Sequence, residues 1–172
     1  MIILLFNYIQ TSDGKRYMTP AINVAKKKNI SYHIHEYIHD TTTESYGDEA
    51  AQKLGISSEI VFKTLVVSID NKALIVAIIP VSAMLSMKLI AKAYGGKKAT
   101  LAFKADVERS TGYLLGGVSP MGQKKVLTTF LDVSASQFTT VFVSAGKRGL
   151  EIELSPKDLQ KLTQAKLADL CQ

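Results

Sequence analysis

Two nearly unbroken apolar runs, residues 60–69 (I-V-F-K-T-L-V-V-S-I) and 73–79 (A-L-I-V-A-I-I), stand only three residues apart. The spacer Asp70-Asn71-Lys72 is turn chemistry, so the pair predicts a β-hairpin. Strands without a polar alternation are covered on both faces. A chain organised around such a hairpin must supply layers for both sides of a sheet. At 172 residues it is long enough to do so within one domain.

The remaining sequence supplies those layers. Thr19 can cap a helix with Pro20 in its first position, running to about Asn29. Residues 31–39 alternate as a strand, with Tyr32, Ile34 and Ile38 on one face and His33, His35, Tyr37 and His39 on the other. Asp48 opens a short helix that stops at Gly55, and residues 82–94 read as a longer one ending at Gly95-Gly96. A short strand at 99–103 leads to a short helix at 104–109. Strands follow at 126–131, 140–144 and 150–154, the last two joined by the glycine turn 145–149. Ser155-Pro156-x-Asp158 starts a final helix, and the C-terminal residues read as helical. The order predicts a mixed α/β fold, largely antiparallel.

No run reaches the ~18 apolar residues of a membrane span. The lone thiol, Cys171, can form no internal disulfide. A net charge of +6 leans towards an anionic partner, although it also serves solubility. Residues 1–17 pass from apolar to polar without the pattern of a signal peptide. Met18, followed by Thr19-Pro20, is the expected working start. The alternative is that the extension forms an N-terminal strand.

Four of the eleven glycines fall in residues 110–125, S-T-G-Y-L-L-G-G-V-S-P-M-G-Q-K-K. Such a loop lets backbone N–H groups approach a ligand closely, and its apolar residues pin it to a core. A hairpin corner with two bends would use the same residues. Lys63 shares its strand face with Val61, Leu65 and Val67. It either snorkels to the rim or occupies a functional pocket. All three histidines lie in residues 33–39. Their spacing could supply metal ligands, but nothing else offers the remaining ligands of a closed site, so packing and hydrogen bonding are the expected roles. There is no G-x-S-x-G, no Walker loop and no cysteine set beside a histidine. Lysine and arginine pairs stand at element ends: Lys97-Lys98, Lys124-Lys125 and Lys147-Arg148, with Lys26-Lys27-Lys28 on the first helix. Each is either solvated surface or a phosphate contact.

From Met18 onward the chain resembles the YbaK family of free-standing aminoacyl-tRNA deacylases. The resemblance rests on M-T-P-A-I at 18–22, H-x-Y-x-H-D at 35–40, G-D-E-A-A at 47–51, F-K-T-L at 62–65, the glycine stretch at 110–125 and V-S-x-G-K-R-G at 143–149. The family is similar to the editing domain inserted in bacterial prolyl-tRNA synthetases. Its fold implies helices around a partly barrel-like, largely antiparallel sheet, here as a single domain over 18–172. Its activity implies trans-editing in the cytoplasm: hydrolysis of cysteine mischarged on proline tRNA, and in many members of cysteine on its own tRNA. The implied partners are tRNA and, as a second candidate, prolyl-tRNA synthetase; no membrane, metal or organic cofactor is implied. Lys63 matches the family's essential lysine. Tyr37, Thr64, Gly116, Gly117, Ser119, Pro120 and Ser144 match positions around the aminoacyl pocket. Ala145 departs from the pattern, standing where many members have glycine. Lys97, Lys98, Lys124, Lys125, Lys147 and Arg148 become candidates for tRNA phosphates. The family mechanism implies that the substrate's own thiol attacks its ester. Two alternatives remain at this level: a non-catalytic module that binds tRNA or a synthetase, and a deacylase for another small amino acid.

Overall fold

The computed structural model describes residues 17–43 and 45–172. The expected extension at 1–17 therefore lies outside the described residues, apart from Tyr17, which packs partly buried against the core. The central hairpin forms as the sequence predicts, β2 (Val61–Ile69) pairing antiparallel with β3 (Ala73–Pro80) from Phe62↔Pro80 to Ile69↔Ala73. Asp70 and Asn71 take left-handed backbone conformations to make the turn.

The other strands are β1 (Tyr32–Glu36), β4 (Ala99–Leu101), β5 (Thr128–Asp132), β6 (Val141–Lys147), β7 (Leu150–Leu154) and β8 (Lys166–Ala168). They build one mixed sheet in the order β1-β7-β6-β2-β3-β5-β8, with β4 beside the far end of β2. Three joins are parallel: β2–β6, β3–β5 and β5–β8. Each needs a long crossover, which the intervening helices supply. The longer pairings, β2–β3, β1–β7 and β6–β7, are antiparallel.

Strand alternation sorts the core into two layers. Phe62, Val76, Ile78, Leu131, Val143 and Ile152 face one side. There α1 (Pro20–Lys27) and α5 (Pro156–Thr163) cover them, α1 through Ala21, Ile22 and Ala25 and α5 through Leu159. On that side too, α4 (Lys104–Thr111) meets Val66 through Val107. The opposite face carries Val61 under α2 (Tyr46–Leu54), then Val67, Ile69 and Ile79 under α3 (Met87–Tyr94). Burying each valine, leucine, isoleucine or phenylalanine among them contributes about 1.5–3 kcal/mol.

The sequence expectation differs most at three places. The first strand stops at Glu36, and Ile38, expected on the apolar face, is 88% exposed. The helix expected over 82–94 begins only at Met87, capped by the Ser86 hydroxyl. Residues 84–86 are instead held by the C-terminal tail, through Ser86 N–H to the Leu170 carbonyl at 2.8 Å and Gln172 N–H to the Met84 carbonyl at 3.1 Å. The C-terminus itself is not helical beyond Thr163. Lys166–Ala168 becomes β8, which pairs with the open edge of β5, and Leu170 is fully buried. Covering an exposed edge and burying a leucine outweigh helix propensity here.

Candidate active site

The site is created by a split in the sheet. On one side β2 pairs with β6 only at Val61 and Phe62, and with β4 only at residues 67–69. Among the described residues no strand pairs with Lys63, Thr64 or Leu65 on that side. The glycine loop packs against the next residue of the strand, Val66. It is anchored by Tyr113 and Val118, which pack on Val66, and by the Tyr113 hydroxyl, which donates to the Met121 carbonyl at 2.6 Å.

Lys63 projects on the face covered by α2 and α3. Its side chain is half-buried, and Nζ lies 3.4 Å from the Val81 carbonyl, a long and weak contact. On the same face, β6 presents Phe142 and then Ser144, and β7 presents Glu151 opposite Ser144. Tyr37 closes this end, its N–H donating to the Gly149 carbonyl at 2.9 Å and its ring packing on the cluster of Val61, Val81 and Phe142. Burial, then the nearby charges of Glu151 and Glu49, push the Tyr37 phenol up to about 12. It therefore stays protonated, with a hydrogen to donate.

Glu151 is the site residue that sequence reasoning missed. It is 7% exposed, and no hydrogen bond or ion pair to its carboxyl is found among the described residues. Burial pushes its carboxyl up to about 8. A carboxyl this buried without a protein partner is costly to ionise, and such groups concentrate at functional sites. The pattern L-E-I-E-L at 150–154 reads as an ordinary alternation with glutamates towards solvent. The signal that corrects it is the neighbouring strand, whose Phe142 puts an apolar residue on that same face.

Thr64 points to the opposite face from Lys63, by the alternation that puts Phe62 and Val66 in the other layer. Its hydroxyl is buried with no hydrogen-bond partner among the described residues. The structure thus brings Lys63, Tyr37, Ser144 and Glu151 onto one face and leaves Thr64 behind the strand, on the side from which the loop enters. The Ser144 hydroxyl accepts from Gly146 N–H at 3.2 Å. Ser119 is fully buried and accepts from Met121 N–H at 3.3 Å, so it shapes the loop from within. Pro120 is buried beside it.

Gly116 and Gly117 fit the loop to the β6–β7 turn. A Cβ on Gly117 would come within 3.1 Å of the Arg148 backbone nitrogen. Gly116 has φ +89°, and a Cβ there would lie 2.7 Å from the Tyr46 ring and 2.8 Å from Arg148 Nε. Arg148 is a fastener in this arrangement: its guanidinium stacks 5.0 Å from the Tyr46 ring centre and donates to the Leu115 carbonyl at 2.7 Å. Gly116→Ala therefore meets both backbone strain and a clash. We expect it to lower the melting temperature by several degrees and turnover by about tenfold or more. Unchanged turnover in a folded variant would mean that the loop's position does not matter to the site.

The basic residues separate into groups. Lys147 and Arg148 are exposed beside Gly117, and Lys124 and Lys125 are exposed at the base of the loop, where their N–H groups bond Thr111 and Ser110 carbonyls. Lys97 and Lys98 lie beside Asp70 at the other end of β2. That is seven residues from Lys63, or about 23 Å at ~3.3 Å per residue.

The histidines pair with carboxylates: His35 with Glu153 at 2.8 Å and His39 with Glu49 at 2.7 Å, while His33 is exposed. Among the described residues no group of three or more His, Cys, Asp and Glu is placed to hold a metal ion. Cys171, remote in sequence, lies close enough to feel the charge of Lys63. Burial, then its hydrogen bond to Asp132, push the thiol up to about 12, so it is held as a poor nucleophile. No described helix is long and apolar enough to cross a membrane.

Comparison with known proteins identifies the family. The pattern of the aminoacyl-tRNA editing domain family matches residues 41–162. The chain is 37% identical over 152 residues to a protein of Enterococcus faecalis named "Putative Cys-tRNA(Pro)/Cys-tRNA(Cys) deacylase EbsC", covering 88% of this chain and 92% of that one. It is 30% identical over 132 residues to the uncharacterized protein YwhH of Bacillus subtilis, covering 76% and 83%. Among solved structures, a "putative trans-editing enzyme for prolyl tRNA synthetase" superposes with a TM-score of 0.77 at 25% identity, over 91% of this chain and 99% of that one. A hypothetical protein at 24% identity, with a TM-score of 0.80 over 90% of this chain and 100% of its own, shares the fold. The sequence pattern, the long match to a relative and the shared architecture together place this chain in the aminoacyl-tRNA editing domain family.

Proposed function

We propose that this protein is a free-standing deacylase that hydrolyses cysteine from mischarged proline tRNA, with cysteine tRNA as a second substrate. The observation that carries the reading is that Lys63 and the buried Glu151, which has no hydrogen-bond partner among the described residues, lie on one sheet face, where β2 has no strand partner at residues 63–65 on its β6 side. An aminoacyl ester carries an α-ammonium, a reactive carbonyl and a phosphate-linked ribose. In this reading Glu151 receives the ammonium, which replaces the proton its burial otherwise retains. Lys63 and backbone N–H groups of the loop stabilise the oxyanion. Tyr37 and Ser144 bound the side-chain pocket, and Thr64 supports the strand from behind. Lys124, Lys125 and Lys147 stand nearest the loop for phosphates of the acceptor end. The E. faecalis relative's name and the solved trans-editing neighbour support the substrate class. Incubating the protein with proline tRNA carrying cysteine tests it directly: release no faster than spontaneous hydrolysis, with or without chelator, would refute the reading.

Glu151 also makes a pH prediction. A carboxyl at about 8 in the folded chain, against an ordinary 4.5, binds its proton more tightly folded than unfolded. Its contribution to stability is therefore full below about pH 4.5 and is lost as pH rises towards 8, by up to about 1.4 kcal/mol per unit. Glu151→Gln is expected to flatten that slope in denaturant melts across the window. It should raise KM for the aminoacyl substrate more than it lowers kcat. Parallel melting profiles for the two proteins would show that Glu151 is ionised in the fold.

A further inference from the structure

Residues 71–105 contain six lysines and no carboxylate, while the rest of the chain has fifteen positive and fifteen negative side chains. The whole surplus of +6 therefore comes from this one stretch. It folds as β3, α3, β4 and the start of α4. Lys104 is paired with Glu108 along α4 at 4.0 Å. Four of the others gather around a shallow depression on α3 and the turn after it: Lys88, Lys92, Lys97 and Lys98, all exposed. Asp70, the carboxylate beside them, accepts backbone N–H groups of Lys97 and Lys98 at 3.1 and 2.8 Å. That capping role fixes the turn and leaves the ammonium groups outward.

The placement of α3 gives this patch a direction. The helix lies on the same sheet face as Lys63, packing Ile90 and Ala91 on Val67 and Ile69. It starts next to the C-terminal tail, where Leu85 bridges to Cys171 within range of the Lys63 charge. It ends where Ala99 pairs with Ile69. Lys88, Lys92 and Lys97-Lys98 therefore form a basic track that leads away from Lys63 along β2, reaching about 23 Å at ~3.3 Å per residue.

The geometry points to this track as a docking site for the phosphate backbone of the tRNA acceptor stem, separate from the pocket that holds the aminoacyl end. This rests on the deacylase reading, which fixes the 3′ end at Lys63. From Lys63 the same sheet face continues under α3, so a duplex that follows this face away from the 3′ end meets the lysines of α3. A protein partner fits less well, because lysine is depleted at the centres of protein interfaces, whereas closely set lysines that outnumber the neighbouring carboxylate of Asp70 suit a polyanion.

The test is Lys88→Glu/Lys92→Glu, with Lys157→Glu/Lys161→Glu on α5 as a control of equal charge change on the opposite face of the sheet. Uncharged tRNA is titrated by fluorescence anisotropy at several salt concentrations. Cleavage is compared on full-length cysteinyl tRNA and on cysteine esterified to a CCA trinucleotide. The α3 variant is expected to bind tRNA at least about tenfold more weakly, with the salt slope reduced by about 1 per lysine. It should lose kcat/KM on the full tRNA and keep it on the trinucleotide. The α5 variant should stay near wild type. Should the glutamate variant not fold, Lys88→Gln/Lys92→Gln carries the same comparison. Unchanged tRNA affinity would overturn the proposal and leave the patch to an acidic protein. So would an equal loss on the trinucleotide, which would put α3 in the aminoacyl site, or an equal loss in the α5 control. If wild type cleaves neither ester, the deacylase reading fails, and the tRNA titration alone still decides the patch.

Discussion

Lys63→Ala is expected to lower deacylation by at least ~100-fold in a protein that still folds. Loss of a preorganised charge at a developing oxyanion has that scale. The folded state has little to lose, because the ammonium makes only a 3.4 Å contact with the Val81 carbonyl. Its strand position lies between Val61 and Leu65 on an apolar face, where alanine is tolerated. Single-turnover rates on cysteinyl proline tRNA, together with thermal melts, separate the two effects. A folded variant with near-normal turnover would remove Lys63 from the chemistry. A variant that does not fold would show instead that the lysine stem supports the junction between α2 and α3. Lys63→Arg adds a second constraint. A planar guanidinium keeps the charge but not the compact geometry of an ammonium, so partial activity is expected.

Much of this site is legible in the sequence, for identifiable reasons. The hairpin of β2 and β3 is readable because both of its faces are buried, leaving apolar runs that a turn interrupts only once. Lys63 stands out because it breaks such a run. The glycine loop stands out because close approach to Tyr46 and Arg148 excludes a side chain at Gly116. What escapes the sequence depends on long-range pairing. The C-terminal strand reads as helix, since nothing local reveals that β5 leaves an open edge for it. Glu151 reads as a solvated glutamate, since nothing local reveals that its face of β7 is the one on which the neighbouring strand carries Phe142 into a core cluster. Thr64 is adjacent to Lys63 in sequence, yet strand alternation sends it to the other face. The roles of Arg148 also divide only in three dimensions. Its basic neighbours are exposed, whereas its own guanidinium is bonded to the loop carbonyl of Leu115.

Discrimination among aminoacyl groups should be very large, and it should appear in turnover as well as binding. Among the described residues on the Lys63 face there is no activated nucleophile: Cys171 is held protonated, and the Ser144 hydroxyl accepts a backbone hydrogen bond while the nearest histidine along the strands, His35, is bonded to Glu153. Cysteine as the aminoacyl group brings its own. Its thiol is a few per cent ionised near neutral pH and is a strong nucleophile even so. In the proposed reaction the thiolate sulfur attacks the ester carbonyl carbon, the acyl–oxygen bond breaks, and the ribose oxygen takes a proton as it leaves. Water then opens the resulting thiolactone to free cysteine. Proximity favours the attack, and the strain of a four-membered ring opposes it. In this proposal the protein's part is to fold the ester back on itself, with Lys63 and loop N–H groups around the oxyanion. Alanine has nothing to attack with, and a serine hydroxyl is almost wholly protonated. On the same proline tRNA, cysteine is expected to exceed alanine in kcat by orders of magnitude, with serine close to alanine. S-methylcysteine fills the same pocket with its sulfur blocked, so it should compete for binding and resist cleavage. Single-turnover rates for the four esters, with inhibition constants for the S-methyl compound, check each step. Rapid release of alanine or S-methylcysteine would mean that a water held by the protein does the attacking. Glu151, the one buried carboxyl on that face without a partner, would then be the first candidate for its base.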